Sequence, residues 1–249
     1  DMIPELFPAD FGGFATHHAK REFVARSELV LCVSETTRRD LVRIYGVPAG
    51  KVRVTHLGVS ARFRPDAVRP AWLPEEYLLF VGHRQAYKNF LTLLDAFTSV
   101  ARRHPRLRLL CVGGTPFDPA ETAAIERTGL ADRVIRRVVA DAELPGVYAG
   151  ARVFVFPSRY EGFGLPILEA FRSGCPALLA DTACFREVAG DAALFFPGAD
   201  PEALAAALDR VLGDGTLRAA VVRHGHLRST SFSWSLTARR TADAYRELR

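Results

Sequence analysis

What the 249-residue chain lacks narrows its class first. No stretch of about 18 apolar residues occurs, so neither a transmembrane span nor a signal peptide is expected. The four cysteines, Cys32, Cys111, Cys175 and Cys184, form no CxxC pair. Three lie in or beside apolar segments, which suits reduced core thiols in a cytoplasmic protein. Lysine is scarce: only Lys20, Lys51 and Lys88 stand among 33 Lys and Arg residues. In such a chain a lysine marks a place where arginine does not serve. No GxxxxGK[ST] phosphate loop and no GxSxG elbow occur, and Gly113-Gly114 is not a dinucleotide fingerprint. His17-His18 and the pair His224 and His226 have no clear metal-ligating companions, so exposed or capping histidines are expected and no metal site.

What is present describes a globular protein. Hydrophobic residues make up 49% and charged residues 24% of the chain, ordinary values for a packed domain. The length suits one large or two small domains. The formal charge of +5 permits attraction to anionic lipid surfaces or nucleic acid. The arginines are scattered, with no basic run interleaved with aromatics, so no nucleic-acid partner is expected. The chain begins with Asp1 rather than Met, which suggests a fragment, a processed product or a trimmed chain.

Residues 1–16 are rich in Pro and Gly and read as a loop, and 17–26 as a helix. Residues 28–34 form a predicted strand. Ser34 or Thr36 caps a helix to Tyr45, and 51–57 is a second strand. Two parallel strands cannot bury both faces alone, so residues 1–60 read as the tail of an incomplete α/β domain. Residues 61–76, with Pro65, Pro70 and Pro74, read as a linker. From Tyr77 strands and helices alternate. Strands are expected at 77–82, 107–112, 134–138, 153–156, 177–180 and 192–196. Helices are expected at 88–103, 118–127, 142–149, 165–173, 183–188, 201–212 and 216–227, with a last amphipathic helix at 234–248. This pattern predicts a Rossmann-like, doubly wound parallel sheet over residues 77–233, with ligands at the C-terminal strand edge.

The most informative stretch is 153–176, VFVFPSRYEGFGLPILEAFRSGCP. An apolar strand ends at Pro157. Glu161-Gly162-Phe163-Gly164 follows, and Pro166 opens a helix that Gly174 and Pro176 terminate. Strand, glycine loop and helix start together offer free N–H groups and a partial positive charge, which favour anions such as phosphate. Glu169 lies one turn into a largely apolar helix. It is either a carboxylate awaiting a partner such as a ribose diol, or a partly exposed residue with no special role. A second stretch repeats the arrangement: Gly82-His83-Arg84-Gln85-Ala86-Tyr87-Lys88-Asn89 leaves a strand and opens a helix. A lysine at a helix start opposes the helix dipole. A bound diphosphate would resolve that misfit; the alternative is an exposed lysine without a role.

Tyr160–Pro166 with Glu169-Ala170 closely resembles the E-x7-E signature of retaining glycosyltransferases of the GT-B fold, family 4. Gly82–Asn89 resembles that family's G-x5-K-N phosphate motif, with His83 where an Arg often stands and Arg84 one position later. The resemblance implies that residues 77–233 bind a nucleotide-diphosphate sugar, GDP- or UDP-linked. Lys88, Arg84 and Glu161 would be the catalytic group. Gly82, His83, Arg84, Lys88, Val139, Glu161, Gly162, Phe163, Gly164, Leu165 and Glu169 would bind the donor. Glu169 would hold the ribose and Glu161 the sugar hydroxyls. Val139, in the loop after the 134–138 strand, would face the base, or belong to an ordinary loop. Residues 1–60 would close the acceptor-binding domain, and 234–249 would cross back to it. No Asp-x-Asp stands at a strand end, so neither a metal nor another cofactor is expected. The resemblance further implies a saccharide or lipid-linked acceptor in bacterial surface-polysaccharide synthesis, with mannose as the first guess. The cytoplasm, or its membrane face, is the expected location. Two alternatives are a non-catalytic nucleotide-sugar-binding module and a GT-B sugar-nucleotide epimerase.

Overall fold

Val153–Phe156 is apolar at every position, without alternation, and such a strand needs cover on both faces. In the computed structural model, which describes residues 1–11 and 18–248, it has that cover: none of its four residues is more than 2% exposed. It lies inside a six-stranded, wholly parallel sheet.

The chain opens with α1 (Ile3–Leu6), a 3₁₀ turn at Pro8–Phe11 and α2 (His18–Arg26). Then come β1 (Val30–Cys32), α3 (Glu35–Tyr45) and β2 (Val52–Val54). β1 and β2 pair in parallel as a sheet of their own, with Val30 opposite Val52 and Cys32 opposite Val54. The larger unit runs β3 (Glu76–Val81), α4 (Phe90–Ala101), β4 (Leu107–Val112), α5 (Pro119–Arg127), β5 (Val134–Arg137) and α6 (Leu144–Gly150). It continues with β6 (Val153–Phe156), α7 (Leu165–Arg172), β7 (Ala177–Ala180), α8 (Ala183–Ala189) and β8 (Leu194–Phe196). It ends in α9 (Pro201–Gly213), α10 (Gly215–Ser229) and α11 (Trp234–Arg246). Helices cover both faces of the sheet, with α4 packed on α9 and α7 on α10. Burying one large side chain such as Phe154 or Leu178 in this layer contributes roughly 1.5–3 kcal/mol.

The strand order is β5-β4-β3-β6-β7-β8. Winding proceeds outward from β3 to β5, then returns to place β6 beside β3, with Leu78 opposite Val153. The direction reverses between β3 and β6. At such a switch point the loops after the two strands diverge to opposite faces and leave a crevice at the C-terminal edge. Those loops are the two motifs identified above. α11 runs back to the N-terminal segment, where Thr237 Oγ1 donates to the His56 carbonyl at 2.7 Å and Arg53 pairs with Glu247 at 2.6 Å.

Several boundaries differ from expectation. Within residues 1–11 the expected loop contains α1 and a 3₁₀ turn, because Pro4 suits a first helical turn and Met2 and Ile3 find burial. Residues 12–17 of the loop and helix readings, and Arg249 of the last segment, lie outside the described residues. The strands at 28–34 and 51–57 shrink to three residues each, since each has one partner and the ladder spans only three pairs. Helix α3 is capped by Ser34, whose Oγ accepts from the Thr37 N–H at 2.9 Å; Thr36 does not cap it. Helix α4 does not open at Lys88-Asn89. Residues Ala86–Lys88 form a 3₁₀ turn, Asn89 adopts φ +58°, and the helix starts at Phe90. Asparagine tolerates that left-handed conformation. Its Nδ2 donates to the carbonyls of Pro157 and Gly198, tying this loop to the end of β6. No helix among the described residues is long and apolar enough to cross a membrane. All four cysteines are buried and unpaired, and burial pushes the Cys111 and Cys175 thiols up to about 12.

Candidate functional site

The loop after β6 turns sharply because it has glycines where side chains do not fit. Gly164 has φ +102°, in the left-handed range, and a Cβ there would sit 3.0 Å from Ile167 Cδ1. At Gly162 a Cβ would come within 2.5 Å of the Asp1 side chain. Among the described residues, no hydrogen bond occupies the backbone N–H groups of Gly162, Phe163 or Gly164. Pro166 lies in the first turn of α7, where its missing N–H costs nothing. The loop therefore presents free N–H groups beside the positive end of a helix.

Across the crevice, the loop after β3 delivers Lys88. Its Nζ meets Glu161 Oε1 at 2.6 Å, with both side chains largely buried at 14% and 11% exposure. The ammonium also lies 5.1 Å from the Tyr87 ring centre and 5.6 Å from that of Phe156. The pair stands in a cavity of about 340 Å³. Gly82, His83 and Lys88 wall one side; Glu161 to Pro166 wall the other. Asp1, Val33 and Leu57 from the N-terminal segment also reach it.

Three candidates are not brought into this cavity. Arg84 is turned away and only 3% exposed. Its Nε donates to Glu121 Oε1 at 2.8 Å, its Nη2 to the Thr115 carbonyl at 2.6 Å, and its guanidinium lies 4.6 Å from the Phe117 ring centre. It binds the loop after β4 to α5, so His83 alone of the two adjoining residues lines the crevice. Val139 follows β5 and packs on the edge of the core. Glu169 lies further along α7, where Oε2 accepts from the Tyr148 hydroxyl at 2.9 Å. Burial raises the Glu169 pKa from 4.5, and the Tyr148 hydrogen bond offsets part of that rise. Its Oε1 has no hydrogen-bond partner among the described residues. Tyr148 is fully buried, edge-on to Phe63 and Phe154, and so holds the carboxylate in one place.

Sequence reasoning missed Tyr148 and the N-terminal residues at the cavity, and it had Asn89 only as the end of the Gly82–Asn89 motif, without the two carbonyls it ties together. The hydroxyl run Ser34-Glu35-Thr36-Thr37 was visible only as a helix cap. Ser34 and Thr37 also reach across the chain, as in the 2.7 Å bond from Ser34 Oγ to the Gly162 carbonyl, 128 positions away. Among the described residues, no group of three or more His, Cys, Asp or Glu side chains is arranged to hold a metal ion.

A doubly wound parallel sheet with a glycine loop and a cation at its switch point defines a Rossmann-like unit of the GT-B type. The chain belongs to the family described as Glycosyl transferases group 1, which matches residues 75–214; Glycosyltransferase Family 4 matches residues 7–63. It is 30% identical over 258 residues to O-antigen chain mannosyltransferase B of Escherichia coli, covering 98% of this chain and 67% of that protein. Among solved structures it is similar to sucrose-phosphate synthase of Thermosynechococcus elongatus, with 26% identity and a TM-score of 0.75. That match covers 92% of this chain and 60% of the synthase. Anabaena HepE, solved in complex with UDP and glucose, shares the fold at 16% identity and a TM-score of 0.79, covering 93% and 68% of the two chains. The chain spans between 50% and 67% of the length of the curated relatives it matches.

Proposed function

We propose that this chain carries the donor site of a retaining glycosyltransferase, taking a sugar from a nucleoside-diphosphate sugar. The observation that carries the reading is the meeting of Lys88 and Glu161, from two switch-point loops, beside the unoccupied N–H groups of 162–164. The diphosphate would lie against Lys88 and those N–H groups. Glu169 would accept from the ribose hydroxyls with its free oxygen. Glu161, released from Lys88, would accept from the sugar hydroxyls. His83, rather than Arg84, would stand beside the diphosphate.

In this reading transfer rests on positioning and on fixed donors meeting the charge that develops on the leaving diphosphate. It needs no metal, and no protein nucleophile is evident. Mannose is the first candidate sugar, on the strength of the Escherichia coli relative's name. The acceptor would be a saccharide or lipid-linked saccharide in the cytoplasm. The positive charge would favour contact with an anionic membrane face.

Thermal unfolding with UDP, GDP, ADP and TDP tests the reading. A ligand that binds only the folded state stabilises it by about 2.7 kcal/mol at a hundredfold excess over its dissociation constant. One nucleotide is expected to raise the midpoint of the native chain and to lose that effect in Glu169→Ala. No shift with any of the four would contradict the proposed site.

A further inference from the structure

A carbonyl of the donor loop is held from outside its own domain. Ser34 Oγ donates to the Gly162 carbonyl at 2.7 Å, and Thr37 Oγ1 donates to the same oxygen at 3.1 Å. Ser34 is fully buried and Thr37 is 4% exposed. Helix capping explains only half of this. The cap needs Ser34 Oγ to accept from the Thr37 N–H, which it does at 2.9 Å. The Thr37 hydroxyl has no part in the cap; it donates to the Gly162 carbonyl and also lies within hydrogen-bond reach of the Tyr160 hydroxyl.

The end of α3 that supplies these hydroxyls is itself fixed from the larger unit. Glu187, on α8, accepts from the N–H groups of Glu35 at 2.7 Å and Thr36 at 3.0 Å, and from the Thr36 hydroxyl at 3.1 Å. Its Oε1 also lies 2.8 Å from His56 Nε2, whose ring stacks near Phe163 at 5.9 Å between centres. The first N–H groups of a helix have no partner within the helix. One carboxylate here meets two of them and holds the helix start over the loop.

We infer that Ser34 and Thr37 are positioning residues of the donor site: through the Gly162 carbonyl they fix the plane of the Gly162–Phe163 peptide, and so the direction of the Phe163 N–H and the course of the loop that carries Glu161. The inference rests on the proposed donor site, and it gives α3 a part in donor binding that the larger unit alone does not supply.

The test compares Thr37→Val, which removes the hydroxyl at constant shape, with Thr37→Ser, which restores it. UDP and GDP are titrated by calorimetry, and amide hydrogen exchange of residues 161–164 is followed without nucleotide. Loss of one such bond is expected to weaken the nucleotide that the native chain binds by about 3- to 10-fold in Thr37→Val. Exchange at 162–164 should rise by a similar factor, and Thr37→Ser should return both near native values. Native affinity and native exchange in a folded Thr37→Val would overturn the inference. If the native chain binds neither nucleotide, the donor site fails and the positioning role with it. Binding that is unaffected by Thr37→Val removes the positioning role alone.

Discussion

β6 and β1 arise from the same strand–helix–strand grammar, yet their surroundings differ. Val153–Phe156 has a neighbour on each side and helices on both faces, and every residue is buried. Among the described residues Val30–Cys32 has a single neighbouring strand, and only Cys32 of its three residues is buried. The difference lies in partners rather than in sequence, since both runs are apolar. The six-stranded unit provides the rigid wall of the crevice. The two-stranded unit, with α3, reaches that wall through polar contacts (Ser34 and Thr37 on Gly162, Tyr160 on Asp40 at 2.7 Å, and Glu187 on the start of α3) and through Val33 and Leu57, which pack against the edge of the larger core.

If this contrast is correct, Phe154→Ala should lower unfolding stability by about 3–5 kcal/mol, whereas Leu31→Ala should cost about 1 kcal/mol. Urea titration of the two variants measures the difference, and equal losses would break the comparison. A smaller effect separates the two sides of the crevice. Lys88→Ala should weaken nucleoside-diphosphate affinity about 10- to 100-fold, the range for a charge-assisted contact. Glu161→Gln should strengthen the binding of the free diphosphate, because Lys88 would no longer be engaged by a carboxylate. Calorimetry with both variants decides whether the ion pair competes with the ligand.

Glu169 sharpens the contrast in a different way. Its pKa is raised, so its charged form is disfavoured in the folded chain, and stability falls as pH rises from the ordinary 4.5 through the raised value. Glu169→Gln is therefore expected to raise the unfolding midpoint at neutral pH while weakening nucleotide binding by about tenfold. A variant less stable and equally tight in binding would contradict this.

Glu187 behaves oppositely. Burial by itself would raise its pKa. The hydrogen bonds from His56, from the N–H groups of Glu35 and Thr36 and from the Thr36 hydroxyl outweigh burial and lower it from 4.5. Its contribution is complete above the ordinary value and is lost as pH falls through the folded-state value. Urea midpoints followed from about pH 6 to about pH 3 should drop less steeply in Glu187→Gln than in the native chain.

Much of this was legible in the residues. The apolar runs at 77–82, 107–112 and 153–156 mark buried parallel strands, and Gly164 and Pro166 mark the turn into α7. The positions of Lys88 and Glu161 followed from those runs. The start of α4 was misplaced because an asparagine in a left-handed conformation leaves no sequence mark that separates it from a first helical residue. The orientation of Arg84 depends on Glu121, which lies 37 residues away and shares no pattern with it. The contacts of Ser34 and Thr37 with Gly162, and of the Glu187 carboxylate with the start of α3, span more than 120 residues, and periodicity carries no information at that range.

The most direct test is a crystal structure of the chain soaked with GDP or UDP, whichever stabilises it. The diphosphate is expected within hydrogen-bond distance of Lys88 Nζ and the N–H groups of 162–165, with the ribose on Glu169 and the Lys88–Glu161 contact broken. A nucleotide bound instead in the cavity of about 510 Å³ behind the loop, beside Arg39, Arg43 and Arg159, with Lys88 still paired to Glu161, would contradict the account.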